Sequence, residues 1–296
     1  MLAALLAVGS AALYGISDFS NGLAARSLRV VTATTVSYGF AALLLLAWLL
    51  YTGGQWSSAA LLWGSLAAVS TMIGLLSFYA AMAIGPMSVV SPMIATGEAI
   101  VPIVVALCLG ERLAWWSWPA IAAAITAGVL IATDRSEKSA KPSARVVLLV
   151  VISGTTLGLS IVALNAAPKA GRAIPGVYEV LVGLFLLTIY GLSRALRARF
   201  NSVSEPLRSV DDQESAVRRR ALLLAAAAGV LYGGATIFLL LALHSGDHLA
   251  IVGVLTNLYP VATIILARLV LSEHLAPVQV AGALLGLIAA AILALA

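Results

Sequence analysis

One carboxylate stands alone in a long uncharged part of the sequence. Glu98 is the only charged residue between Val30 and Gly110, and Gly97 and Ala99 flank it in an apolar run. A carboxylate in such surroundings costs free energy unless it has a partner, takes up a proton or faces a cavity. Glu98 therefore suggests one of two chemistries, binding a substrate amine or carrying a proton. The simpler alternative is a hydrogen bond that ties two helices together.

The residues around Glu98 favour the functional interpretation. Thr96 and Gly97 allow another helix to approach closely, and Pro92 and Pro102 can free backbone carbonyls nearby. We therefore interpret Glu98 as a substrate-binding residue.

A second polar group lies in the segment ALYGISDFSNGL. Tyr14, Asp18 and Asn21 follow one another at spacings of four and three, which places them on one side of a helix. This face is a candidate for substrate binding. For Asp18, an ion pair with Arg26 two turns later is the alternative.

Glu179 is a further candidate, because it lies five or six residues inside an apolar run. Arg172 lies about two turns before it, so snorkelling toward the membrane surface is the alternative. The remaining candidates are polar or aromatic residues within apolar runs. Asn165 takes a place similar to that of Asn21, and two others lie just before the helix-breaking Pro260. Each tyrosine taken alone can equally be a packing or interfacial residue. These candidates are Tyr79, Asn165, Tyr232, Asn257 and Tyr259.

Other catalytic or metal chemistry finds little support. His244 and His248 have a spacing that could hold a metal, but Ser245 and Gly246 interrupt the helix between them, which favours a connector. The sequence contains no Walker loop, HExxH, CxxC or GxSxG motif. We expect no enzyme activity, no metal and no cofactor, and no ATP-driven transport within this chain.

The elements that must position these residues are membrane helices. Of the 296 residues, 62% are hydrophobic and only 10% are charged, whereas soluble proteins have about a quarter charged. We predict an all-α integral membrane protein with ten transmembrane helices. Divided at charges, prolines and glycine clusters, the ten spans are 3–24, 32–52, 58–84, 88–110, 115–133, 145–167, 174–193, 221–243, 248–271 and 276–296.

The sequence contains an internal duplication. Shifted by 162 residues, IVVALCLGERL (103–113) aligns with ILARLVLSEHL (265–275) at five identical positions of eleven, including the scarce acidic pair Glu111 and Glu273. Spans four and five thus match spans nine and ten. We predict two five-helix repeats, at residues 1–134 and 145–296. An odd number of spans per repeat inverts one relative to the other, which is typical of transporters with a central binding site.

The sequence resembles the ten-helix drug/metabolite transporters of the EamA type. The segment YPVATIILARLVLSEHLAPVQVAGALLGLIAAAIL (259–293) carries the resemblance, and GPMSVVSPMIATGEAIVPIVVALCLGERL occupies the same place in the first half. One departure is Glu98, which stands where the second half has Pro260.

This resemblance implies a multi-pass secondary transporter of the cytoplasmic membrane that exports small organic solutes such as amino acids or related metabolites. It also implies a central cavity lined mainly by spans 1, 3, 4, 6, 8 and 9. The expected partners are a small-molecule substrate and the lipid bilayer. No nucleic acid is expected, and a monomer suffices because one chain supplies both halves. Proton-coupled efflux of lipophilic cations, as in the related small multidrug resistance proteins, is the alternative, and a passive facilitator is a third.

The net charge of +5 bears on orientation. The connectors after odd-numbered spans, here the odd connectors, hold 13 Lys and Arg, and the even connectors hold 3. The positive-inside rule therefore puts the odd connectors in the cytoplasm and both termini outside. The resemblance implies both termini inside. The two expectations conflict, and we follow the charge bias.

Overall fold

Every regular element in the described part of the chain is helical. The computed structural model describes residues 1–84, 87–131, 143–201, 212–245, 249–271 and 276–294. A 3₁₀ turn, Lys169–Gly171, lies before α7. The α-helices are α1 Leu2–Ala25, α2 Val30–Thr52, α3 Ser58–Ile84, α4 Met87–Cys108, α5 Ser117–Ile131, α6 Ala144–Ala166, α7 Ile174–Asn201, α8 Asp212–Ser245, α9 Leu249–Thr256, α10 Tyr259–Leu271 and α11 Pro277–Ala294.

Six of these helices are long and apolar enough to cross a membrane, namely α1, α2, α3, α6, α7 and α8. Shorter apolar stretches lie at Met93–Cys108, Ser117–Leu130, Leu249–Thr263 and Pro277–Leu293. Each half thus contains three long helices followed by two shorter apolar stretches, in agreement with the duplication. The all-helical membrane architecture is confirmed, whereas the count of ten spans stays a prediction.

The ninth predicted span, 248–271, is two helices and not one. The structure breaks it at Asn257 and Leu258, between α9 and α10. Pro260 explains the break, because its ring lacks an N–H donor and collides with the carbonyl four residues earlier in a continuous helix. The break leaves the amino end of α10 in the interior of the bundle, next to α1.

The helices pack in a pattern that is unchanged when the two halves are exchanged. The contact of α1 with α8 corresponds to that of α6 with α3, and the contact of α2 with α8 corresponds to that of α7 with α3. Likewise α4 lies on α6 as α10 lies on α1, while α5 meets α11 and α4 meets α9. This arrangement is that of an approximate two-fold axis. It fits the predicted inverted repeat, and it means that most packing joins one half to the other.

Glycines allow the closest of these crossings. Gly154 and Gly158 form a GxxxG motif on α6, and a Cβ at Gly154 would lie 3.0 Å from the Cα of Gly97 on α4. A Cβ at Gly158 would lie 2.8 Å from the carbonyl oxygen of Glu98. Small residues let membrane helices touch along their backbones. The motif therefore fixes the part of α4 that carries Glu98 against α6.

The outside of the bundle is apolar and its inside is built from small residues. Many buried positions are alanines, while leucines such as Leu43, Leu50 and Leu148 point outwards and are exposed. Trp115 and Trp118 are exposed at the start of α5, where an aromatic belt would meet the membrane surface. This distribution is typical of a protein whose solvent is lipid.

Candidate functional site

Two carboxyl groups approach each other in the bundle. Asp18 on α1 and Glu98 on α4 lie close enough to repel each other when both are ionised. Asp18 is exposed and Glu98 is half-buried, so neither acid is shut inside the packed core.

Gly15 brings Tyr259 to the same place. A Cβ at Gly15 would lie 2.4 Å from the carbonyl oxygen of Tyr259, so only glycine allows α1 to contact the first turn of α10. The Thr263 hydroxyl donates a hydrogen bond to the Gly15 carbonyl at 3.2 Å and holds this contact. The Tyr259 side chain lies within electrostatic range of both Glu98 and Asp18.

Glu179 is the most deeply buried of the candidate acids, with 4% of its surface exposed. Its Oε1 accepts hydrogen bonds from the hydroxyls of Thr71 at 3.0 Å and Ser160 at 3.2 Å, which belong to α3 and α6. Its Oε2 is buried and has no hydrogen-bond partner among the described residues. The carboxyl group thus joins three helices through Oε1, while Oε2 has no hydrogen bond among the described residues.

Three tyrosines connect the two acidic regions. The ring centroids of Tyr14 and Tyr232 are 5.2 Å apart, and those of Tyr38 and Tyr232 are 5.3 Å apart. Tyr14 lies within electrostatic range of Glu179 and of Glu98, and its hydroxyl is 3.1 Å from that of Thr236. We call Asp18, Glu98, Glu179, Tyr14, Tyr38, Tyr232 and Tyr259 the acidic–aromatic cluster.

The simpler alternatives for two acids do not match the geometry. No ion pair joins Asp18 to Arg26 among the described residues, and Asp18 interacts with Glu98 instead. Arg172 does not act on Glu179 among the described residues, and its guanidinium donates instead to the carbonyl oxygen of Thr52.

The three asparagines lie outside this cluster, and the side chain of Tyr79 is not among those described. The side-chain oxygen of Asn21 accepts a hydrogen bond from Ser37 at 3.1 Å, which ties α1 to α2. Asn165 lies in the last turn of α6. Asn257 donates to the Gly253 carbonyl at 3.0 Å, and its Oδ1 is buried without a hydrogen-bond partner in the described part of the chain. The side chain of Tyr79 lies outside the described residues, and its predicted role stays a prediction, like those of the asparagines.

Sequence reasoning missed four members of this network. Tyr38, Thr71, Ser160 and Thr236 are buried near the middle of their helices. Hydroxyl groups in membrane helices often bond to their own backbone, as Thr236 also does to the Tyr232 carbonyl. Their depth was the available signal, but it does not distinguish a bond within one helix from a bond between helices.

Only one member of the histidine pair, His244, lies within the described residues. Asp247 and His248 lie outside the described residues, as does Glu273. Within the described ranges, no group of three or more His, Cys, Asp or Glu side chains could hold a metal ion.

Comparison with known proteins identifies relatives at the level of family and fold. A sequence profile of the EamA-like transporter family matches residues 1–133 and again residues 144–295. No protein of curated function matches the chain. One solved crystal structure is similar with a TM-score of 0.74 and 15% sequence identity, covering 99% of this chain and 96% of that chain. At this identity the likeness concerns the fold alone.

Proposed function

Because the chain belongs to the EamA-like transporter family, we propose that it is a secondary transporter that exports small amine-bearing solutes, such as amino acids or related metabolites. The family assignment makes the chain a multi-pass membrane transporter of small solutes. The finer proposal is supported by one observation, the acidic–aromatic cluster. The cluster gathers three carboxyl groups and four tyrosines from both halves.

The chemistry of the cluster favours a positively charged group on the substrate. Carboxylates bind ammonium groups through charge-assisted hydrogen bonds, and tyrosine rings attract cations over their faces. Among the described residues, no Lys, Arg or His side chain interacts with Asp18, Glu98 or Glu179. A substrate amine would supply the charge that these acids lack.

Glu98 suits an exchange of substrate for protons. It lies near the middle of α4 and beside a second acid, so a proton or an amine stabilises the pair by removing their repulsion. If each excludes the other at Glu98, an inward proton gradient drives the amine outwards. In this proposal Asp18 and Glu98 bind the amine, and Tyr14, Tyr232 and Tyr259 line its path.

The break between α9 and α10 favours amino acids over simple cations. The amino end of α10 begins at Tyr259, beside the two acids. A helix amino end carries partial positive charge and attracts anionic groups, as in other transporters with broken helices. A zwitterion could therefore place its amine at Glu98 and its carboxylate at α10. Asn257, two residues before the start of α10, would border the carboxylate.

Efflux of lipophilic cations is the second candidate. The paired rings of Tyr14 and Tyr232 beside acidic groups favour it, because flat organic cations stack on such rings. Under this alternative the amino end of α10 would have no anionic group to bind.

We further propose that the protein acts as a monomer in the cytoplasmic membrane, with repeats at 1–134 and 145–296.

The first experiment measures growth of cells that express the protein in the presence of toxic amino-acid analogues and of cationic dyes. Glu98→Gln is compared with Glu111→Gln, which changes an acid that follows the end of α4. We expect wild type and Glu111→Gln to protect against analogues, and Glu98→Gln to lose at least tenfold of that protection. Immunoblots of the membrane fraction control for expression.

The other outcomes separate the candidates. Protection against dyes alone would support efflux of lipophilic cations. Full activity of Glu98→Gln at every pH, measured in liposomes with the protective compound, would refute the role of Glu98. A transport rate that ignores an imposed pH gradient would indicate a passive facilitator.

A further inference from the structure

A cleft that shares no lining residue with the acidic–aromatic cluster has the opposite charge. It lies where α2 and α8 end and where the 3₁₀ turn leads into α7, and its volume is about 360 Å³. We call it the cationic cleft, after Lys169 and Arg172, and His244 lies beside them. The residues that line it are Trp48, Thr52, Lys169, Arg172, Ala173, Ile237, Leu240, Leu241 and His244.

The three basic groups converge at the mouth of the cleft. The Arg172 guanidinium donates to the Thr52 carbonyl at the end of α2, which holds it in place. Lys169 and His244 lie close enough to interact electrostatically. The Nε2 atom of His244 is buried and has no hydrogen-bond partner within the described part of the chain. None of the residues that line the cleft is acidic.

The backbone holds Arg172 in an unusual conformation. Its φ of 48° and ψ of −110° belong to a region that glycine readily adopts and other residues rarely do. The turn is fixed from its other side, because the Gln55 N–H donates to the Ala170 carbonyl at 2.9 Å. A glycine would relieve this strain, so the presence of arginine points to a use for its side chain.

Below the basic groups the cleft becomes apolar. Ile237, Leu240 and Leu241 lie one to two turns from the end of α8, and Trp48 lies one turn from the end of α2. These residues extend from the helix ends toward the middle of the membrane. The cleft therefore has a charged end at the membrane surface and an apolar wall that faces the depth of acyl chains.

The placement of the cations is uneven on this side of the membrane. The even connectors hold only Arg112, Lys169 and Arg172, and two of these three line the cleft. Cations that set orientation act through their number on one side. Lys169 and Arg172 lie on the side with few cations, and they lie close together. An anionic ligand explains this placement better than a role in orientation does.

We propose that the cationic cleft binds an anionic phospholipid. Its phosphate accepts hydrogen bonds from Lys169, Arg172 and His244, and an acyl chain follows the wall formed by Ile237, Leu240 and Leu241. The matching of a charged end and an apolar wall to the two parts of a lipid favours this ligand over a soluble anion. The cleft shares no lining residue with the acidic–aromatic cluster, so the proposal does not depend on the identity of the transported solute.

The test uses the full-length protein purified in detergent. Native mass spectrometry counts bound phosphatidylglycerol against phosphatidylethanolamine, and thermal unfolding is followed with each lipid. Lys169→Gln and Arg172→Gly are compared with Arg112→Gln, the even-connector cation outside the cleft. We expect wild type and Arg112→Gln to prefer phosphatidylglycerol. Each cleft variant should bind it about fivefold more weakly, as expected for the loss of one surface cation.

The outcomes of this experiment distinguish the possible ligands. Equal binding of the two lipids by wild type, or equal weakening by Arg112→Gln, would overturn the proposal. Inorganic phosphate that raises the unfolding temperature as much as phosphatidylglycerol would overturn the lipid assignment in favour of a phosphate site. If a cleft variant does not fold, the preference of wild type for phosphatidylglycerol still tests whether the protein selects an anionic lipid. Arg172→Lys, which keeps the charge, should then retain most of that preference.

Discussion

The three acids of the acidic–aromatic cluster differ in what surrounds them. Solvent reaches Asp18 and Glu98, which meet no fixed hydrogen-bond donor among the described residues, whereas hydroxyls from two helices hold Glu179. A carboxyl group that must bind and release a substrate or a proton needs free access. A carboxyl group that holds helices together needs fixed partners. From this contrast we propose exchange for the first pair and positioning for Glu179.

Removal of the Thr71 hydroxyl should test the positioning role. Thr71 bonds to both Glu179 and Ser160, so Thr71→Val leaves a buried carboxyl group with one donor fewer. We expect a loss of about 1–3 kcal/mol in stability, read as a lower unfolding temperature. The control is Thr126→Val, because that exposed hydroxyl bonds only to its own helix at the Ala122 carbonyl. An unchanged unfolding temperature in Thr71→Val would contradict the role.

At the scale of elements, one glycine decides how α1 meets α10. Gly15→Ala would place a methyl group 2.4 Å from the Tyr259 carbonyl oxygen, so the two helices must separate. Overpacking of this kind costs about 1–3 kcal/mol, and it moves Tyr259 away from Asp18. We expect Gly15→Ala to lose most transport activity and to unfold at a lower temperature.

Gly22 on the same helix provides the matched control. A Cβ there would meet nothing within 4 Å. Gly22→Ala should therefore fold normally, and alanine's higher helix propensity should stabilise it by up to about 1 kcal/mol. Equal behaviour of the two variants in transport and unfolding assays would show that the contact at Gly15 is unimportant.

The positions of helices could be predicted from the sequence, but their neighbours could not. Most predicted spans agree with helices to within a few residues, because charged residues are costly in lipid and mark the ends. The pairing of α1 with α8 was not foreseen, since lipid is as apolar as a helix surface and leaves no amphipathic stripe to read. The site was found only in part for the same reason. Acids such as Glu98 are rare and conspicuous, while Thr71 and Ser160 look like many other small residues.

At the scale of the whole molecule, the two sides of the bundle differ in access. Asp18, near the odd-connector end of α1, is reached by solvent, whereas Glu179, near the even-connector end of α7, is buried. The connector after α2 is bonded to the 3₁₀ turn before α7 through Gln55 and Ala170. The two halves are therefore joined on the even-connector side, beside the cationic cleft. Alternating access requires that this contact open during transport.

A disulfide across this contact should arrest transport. The backbone hydrogen bond between Gln55 and Ala170 brings their Cα atoms roughly within the range of about 4.4–6.8 Å that a disulfide spans. We expect the pair Gln55→Cys and Ala170→Cys, in a Cys108→Ser background, to lose transport on oxidation and regain it on reduction. Each single variant serves as the control. Full transport by the oxidised pair would contradict opening at this contact.

The orientation of the bundle can be decided with a reporter. The charge bias places both termini outside, so a phosphatase that is active only outside the cytoplasm should be active when fused to Ala296. A fusion to the connector around Arg208 should be inactive. The reverse pattern would support the orientation that the family resemblance implies.

The exchange of contacts between halves has a consequence for how the protein is made. The main neighbours of α1 and α2 are α7, α8 and α10, which leave the ribosome only after the whole first half has entered the bilayer. The first five helices therefore remain in the lipid for a time without the helices that they contact in the folded protein. During this wait they are exposed to quality-control proteases, and their survival depends on how fast the rest of the chain is translated. Slow synthesis beyond residue 144 should reduce yield even where every codon encodes the same amino acid.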